Sequence, residues 1–192
     1  MFSSFSGTSV RKYLLLAVAL IVLQGGLLWL EGQPAICACD YVKFWEGEVL
    51  SIGNSQHVTD WYTFSHVIHG FFFYFIAWLL FPRLSFAQRF LLAVGLEAGW
   101  EVIENTPWVI NHYREQALAQ GYFGDSILNS IVDTLAMIFG FFLAWRLPAK
   151  LTVVLAIVLE VFTGYFIHDG LALNVLNFLH QFDFIREWQG GA

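Results

Sequence analysis

The chain has 192 residues, 58% of them hydrophobic and only 12% charged, with 20 Phe and 8 Trp, and its mean hydropathy is +0.63. A soluble domain carries roughly 25% charged residues, so this composition describes an integral membrane protein. A formal net charge of −6 and the lack of any Lys/Arg cluster exclude a nucleic-acid partner, whose phosphates demand a basic face.

Five runs approach the ~20 apolar residues that cross a bilayer core. The first covers residues 13–30, after Arg11-Lys12, and is interrupted by Gln24 and the Gly25-Gly26 pair. It is longer than the apolar run of a secretory signal and no A-x-A site follows, so it reads as an anchor. Next comes ICACD, with the only two cysteines, Cys37 and Cys39. A bridge across one residue is strained, which leaves free thiols, a soft-metal clip or intermolecular pairing open.

The second run, residues 61–81, contains FSHVIHGFFFYFIAWLLF; the third, residues 86–106, contains LEAGWEVIEN and ends at Pro107. The fourth covers residues 125–145, stopped by Pro148, and the fifth covers residues 150–167. Residues 171–188 alternate polar and apolar side chains at helical spacing and are too polar to span, which predicts an amphipathic helix at the interface. No internal repeat or linker divides the chain. The fold class expected is all-α: a polytopic membrane helical bundle of about five transmembrane helices with a C-terminal interfacial helix, in a single domain over residues 1–192.

Orientation follows from Lys and Arg. With the N-terminus inside, the cytoplasmic side holds six cations (Arg11, Lys12, Arg83, Arg89, Arg146, Lys150) and the opposite side three (Lys43, Arg114, Arg186). No Asp or Glu falls in an inside segment. The expectation is a multi-pass protein of the bacterial inner membrane, with a cytoplasmic N-terminus and a periplasmic C-terminus.

In that topology the intramembrane polar residues share one depth, near the outer face. Glu97, Glu101 and Glu104 step along one helix face, followed by Asn105; His66 and His69 stand three apart; Asp125, Asn129 and Asp133 stand four apart. A lipid-facing carboxylate is expensive, so the three stripes are expected to face one another inside the bundle, with Gly95 and Gly99 permitting close packing. Imidazoles with carboxylates on facing helices suit a divalent metal such as Zn, Fe or Mn. A metal-free hydrogen-bonded network with some carboxyls protonated is the alternative.

Other polar residues read more plainly. Glu160 is a protonated or hydrogen-bonded carboxyl within a span, and His168-Asp169 an interfacial pair. Trp61, Trp100 and Trp108 fit an outer aromatic belt. His57, Asp60, His112 and Arg114 belong to outer loops that border any cavity there.

Three segments, WEGEVLSIGNSQHVTDWYTFSHVIHGF, GWEVIENTPWVINHYRE and GYFGDSILNSIVDT, resemble an uncharacterised family of bacterial multi-pass inner-membrane proteins. Over about residues 60–145 the chain is more loosely similar to VanZ-like membrane proteins. Asp60 and His66, Glu97 and Glu101, and Asp125 with Asn129 stand where that group has its polar positions. It departs in having Glu101 near the expected Gln, no Gly soon after Asn129, and an additional Asp133. The resemblance implies an envelope location and a shared helical layout, without a reaction.

The functional expectation is an enzyme acting on a lipid or lipid-linked envelope substrate. His66, His69, Glu101 and Asp133 would hold a metal, Glu101, Asp133 and Glu97 would carry acid–base work, and Glu104, Asn105, Asp125 and Asn129 would support them. The alternatives are a cation- or proton-coupled binding or transport protein, and an assembly factor whose polar stripe fixes helix register. Membrane lipids, and a lipid-linked or small-molecule ligand, are the partners implied; the substrate and the oligomeric state are not legible.

Overall fold

The computed structural model describes residues 7–190. Among these it is all-helical, with α1 (Gly7–Glu31), α2 (Thr63–Leu80), α3 (Phe86–Glu104), α4 (Pro107–Tyr113), α5 (Ile127–Arg146), α6 (Ala149–Ile167), α7 (Leu171–Leu179) and α8 (Asp183–Gly190). Four of these, α1, α2, α5 and α6, are long and apolar enough to cross a membrane. The fifth expected span is α3, which is 19 residues long but stands apart through Arg89 and its three glutamates.

Local chemistry sets the helix ends. Ser85 and Gln88 form a capping box at the start of α3, and the Ser126 hydroxyl accepts the Asn129 N–H at the start of α5. Pro107 stops α3 and begins α4, at the position where its missing N–H costs nothing. The single C-terminal helix expected over residues 171–188 is two helices. His180 takes an extended backbone, φ −161° and ψ 130°, and ends α7 before α8 begins.

The closest helix pair is α2 with α5. A methyl group added at Gly70 would overlap the Met137 carbonyl, and one at Gly140 would overlap the Val67 carbonyl. The two backbones therefore touch without side chains between them, as small residues allow in membrane bundles. Gly95 and Gly99 do not serve the close packing expected of them: a Cβ at Gly99 meets nothing within 4 Å, and one at Gly95 meets only Leu20, at 3.8 Å.

α3 lies against α1, α2 and α5, while α6 packs on α2. One half of the bundle is closed by an apolar cluster of Ala17, Phe90, Ala93, Val94, Met137 and Phe141. α6 leaves Val153, Val154, Ile157, Val158 and Val161 exposed, as a lipid-facing helix does. Its Glu160 accepts the N–H groups of Leu171 at 3.0 Å and Ala172 at 3.2 Å, so this carboxylate caps α7.

The segment between α1 and α2 joins the bundle at the start of α5, where the N–H groups of Ser126, Ile127 and Leu128 donate to the carbonyls of Ser55, Pro34 and Ala35. Cys37 and Cys39 form a disulfide with each other, instead of the free thiols, soft-metal clip or intermolecular pairing left open by their spacing. The Asp40 N–H donates to the Cys37 carbonyl at 3.1 Å, and this turn holds the two Cα atoms 5.1 Å apart, within bridging range. Lys43 pairs with Glu46 at 2.8 Å.

Candidate functional site

The three polar stripes meet where α2, α3 and α5 are closest. The backbone contact at Gly70 and Gly140 holds the first half of α2 against α5, and α3 packs on both. His66, Glu97, Glu101, Asp125, Asn129 and Asp133 are all buried.

Glu97 receives both imidazoles. His66 Nδ1 lies 2.6 Å from its Oε1, and His69 Nδ1 lies 3.1 Å from its Oε2. His66 Nδ1 is also 3.3 Å from Glu101 Oε1, yet one ring nitrogen carries at most one proton. The shorter contact takes it, which leaves Glu101 Oε1 without a hydrogen-bond donor. On the far edge of the same ring, Nε2 is 3.8 Å from Asp133 Oδ2, and Asp133 Oδ1 has no partner either.

The second oxygen of Glu101 is firmly held. Ser130 Oγ donates to Glu101 Oε2 at 2.7 Å; Gln24 Nε2 donates to Ser130 Oγ at 2.8 Å; Thr134 Oγ1 donates to Gln24 Oε1 at 2.9 Å. This chain connects α1 through α5 to α3. Ser130 and Thr134 were not singled out from the sequence, and Gln24 was noted only as a break in an apolar run. Its polarity inside that run was the available signal.

Asn105 and Asp125 form a reciprocal pair: Asn105 Nδ2 donates to Asp125 Oδ2 at 2.7 Å, and the Asp125 N–H donates to Asn105 Oδ1 at 2.6 Å. Tyr122 OH donates to Asp125 Oδ1 at 3.0 Å, and burial pushes this phenol well above its usual range, so it remains a neutral donor. Gly124, at φ 101°, makes the turn into Asp125 in a region that suits glycine; a Cβ there would run into Gln33 and Asn105.

Asn129 and Asp60 are framework. Asn129 Nδ2 donates to the His57 carbonyl at 3.0 Å. Asp60 accepts the N–H groups of Ser55, Tyr62 and Thr63; burial raises its pKa, opposed by those backbone donors. It holds the entry to α2.

Among the described residues, three groups have ligand atoms close enough together to hold a metal ion: His66, His69 and Glu97; Glu101, Glu104 and Asp125; and Cys37, Cys39 and His57. Of the expected ligands, His66 and His69 thus group with Glu97, Glu101 groups with other acids, and Asp133 stands behind the His66 ring. In the third group the disulfide removes the thiolates that a metal needs.

A cavity of about 690 Å³ opens beside the cluster. His66, His69, Glu104, Asp125 and Asp133 line its polar end, and Leu50, Phe72, Leu96, Val175 and Leu179 are among its apolar walls. Phe72, Leu96 and Leu179 are exposed at its rim. His112, expected at the mouth, instead donates from Nε2 to the Phe178 carbonyl at 3.0 Å, which anchors α7 to α4.

Fold and site together define a membrane-type helical bundle with a buried His/Glu/Asp cluster at one end. The chain belongs to the family described as protein of unknown function DUF2585, whose profile matches residues 28–191. It is 52% identical over 175 residues to a UPF0314 protein of Rhizobium etli (strain CIAT 652), covering 91% of this chain and 90% of that one. It is 51% identical over 180 residues to one from Rhizobium meliloti (strain 1021), covering 94% and 91%. A Paracoccus denitrificans relative is 49% identical over 163 residues, covering 85% and 84%. No solved structure matches the chain. The VanZ-like pattern rests on the individual residues alone.

Proposed function

We propose that the protein is a metal-dependent enzyme of the bacterial inner membrane that acts on a lipid or lipid-linked envelope substrate. The observation that carries this reading is the convergence of His66, His69 and Glu97, with both imidazoles lining a largely apolar cavity and Glu97 buried behind them. Two imidazoles and a carboxylate suit Zn, Fe or Mn. With His66 ligating through Nδ1, its Nε2 edge would face Asp133, whose Oδ2 is 3.8 Å away and would have to close in to orient the ring as carboxylates do beside ligand histidines.

A bound divalent metal would supply a polarised, readily deprotonated water. The residues around it do the rest. Glu101 Oε1, without a donor, is the proton acceptor, and Ser130 fixes its other oxygen. The apolar walls receive the hydrocarbon part of the substrate.

The structural features favour an enzyme over a transporter. The polar cluster occupies one end of the bundle, and an apolar cluster from Ala17 to Phe141 packs the other, which suits a site entered from one side. Two independent features support an N-in, C-out orientation with the site facing the periplasm: the bias of Lys and Arg, and a disulfide in the segment after α1, which suits an oxidising compartment.

Elemental analysis of the detergent-purified protein tests the reading. The expected result is a stoichiometric transition metal in the wild type that is lost in His66→Ala and Glu97→Gln, both still folded. A metal-free wild type that retains its cellular function would overturn it.

A further inference from the structure

The lining of the cavity specifies the charge of its occupant. Its acidic side chains are Glu104, Asp125, Asp133 and Asp169, its imidazoles are His66 and His69, and no Lys or Arg lines it among the described residues. An anionic head group would meet four carboxyl groups without a guanidinium or ammonium to pair with, and desolvating unpaired charge is costly. Asp133 is only 3% exposed and lines the cavity, yet its Oδ1 has no partner. That buried acceptor asks for a cation or a donor from the occupant.

Aromatic rings stand around the same end. Tyr62, Trp100, Tyr113, Tyr122 and Phe178 all line the cavity. Tyr113 and Tyr122 meet edge to face at 5.8 Å, and Trp100 meets Phe178 at 6.2 Å. Two of the tyrosines are held by acids of the lining: Tyr62 OH donates to Asp169 and Tyr122 OH to Asp125, each at 3.0 Å. Carboxylates beside aromatic faces form a surface that attracts an organic cation. The apolar walls beyond, open at Phe72, Leu96 and Leu179, require a hydrocarbon tail on the same molecule.

We infer that the cavity binds an amphiphile with a cationic nitrogen head group, the head seated between Asp133, Glu104, Asp125 and the tyrosines and the chain lying along Phe72, Leu96 and Val175. This rests on the reading of the cavity as a lipid-substrate site and narrows the substrate to ammonium-bearing lipids.

The test is binding to the purified full-length chain in lipid nanodiscs, read by tryptophan fluorescence and by equilibrium dialysis. The probes are decyltrimethylammonium, decyl phosphate and decyl glucoside, with metal content measured on the same samples. The expected result is saturable binding of decyltrimethylammonium at least about tenfold tighter than either other probe, a gap of about 1.4 kcal/mol. Tetramethylammonium should displace it, and added salt should weaken it. Glu104→Gln, or Tyr122→Phe if the former misfolds, should reduce the preference. Equal or tighter binding of decyl phosphate overturns the inference while leaving a metal centre standing. No saturable binding of any probe also overturns it. A metal-free protein that keeps the ammonium preference overturns the metal reading alone.

Discussion

Glu101 and Ser130, on different helices and 29 positions apart, are joined by a 2.7 Å hydrogen bond that fixes one carboxylate oxygen and leaves the other without a donor. Ser130 is itself held by Gln24, and Gln24 by Thr134, so the orientation of a candidate proton acceptor depends on a residue of α1.

Gln24→Leu is therefore expected to destabilise the bundle. It takes away the acceptor of the buried Thr134 hydroxyl and one of the two partners of Ser130 Oγ, which keeps Glu101, at a cost of roughly 1–3 kcal/mol for an unsatisfied buried group. Thermal unfolding in detergent measures it, and an unchanged melting temperature would show that the chain of bonds contributes nothing.

The charge variants separate metal binding from proton transfer. Glu97→Gln is expected to lower bound metal at least about tenfold, the scale on which ligand-sphere changes act. Glu101→Gln and Asp133→Asn keep shape and remove negative charge; the expected result is a folded, inserted protein without function in cells lacking the wild-type copy. If both variants support full function, these acids are dispensable and the enzyme reading fails.

Gly70→Ala and Gly140→Ala each place a methyl group against a carbonyl of the facing helix. The expected loss is about 1–3 kcal/mol, typical of overpacking. Gly99→Ala, with open space around it, should be neutral or stabilising by up to about 1 kcal/mol through helix propensity. Melting temperatures that fail to rank the three in this way would refute the assigned contact.

Asp169 gives a pH dependence. It accepts Tyr62 OH, the Gly170 N–H, Asn174 Nδ2 and Gln189 Nε2, yet burial pushes its pKa up to about 6, with Glu160 adding to the rise. The folded state thus holds the proton more tightly than the unfolded one. Its contribution to stability is complete below the unfolded value of 3.8 and is lost as pH rises through about 6. Two pKa units correspond to about 3 kcal/mol. Melting temperatures between about pH 4 and about pH 7, the range spanning the two pKa values, should fall more steeply for the wild type than for Asp169→Asn; identical slopes would remove Asp169 as the cause.

Periodicity and composition were enough to anticipate an all-α bundle and to put His66, Glu97, Glu101, Asp125 and Asp133 on facing stripes, because buried charge is costly and helical spacing is regular. What escaped was whatever depends on helix crossing. Gly95 and Gly99 lie next to the glutamates in sequence, but the pair that meets is Gly70 and Gly140, selected by the way α2 crosses α5. Glu97, rather than Glu101, receives both imidazoles for the same reason: a stripe gives the face of a helix but not which step of it stands opposite a neighbour. The break at His180 was hidden by an amphipathic pattern that continues across it.

The backbone contact between Gly70 and Gly140 has a consequence for traffic through the cavity. With no side chains between them, α2 and α5 have no room to slide, so the wall bearing His66, His69 and Asp133 is the fixed jaw of the site. Passage of a bulky occupant has to come from the opposite jaw, formed by the segment from Val49 to Ser55 and by α7. The second of these is tethered at its first turn by Glu160 and at its last by His112, so a swing of α7 about the first would have to break the second.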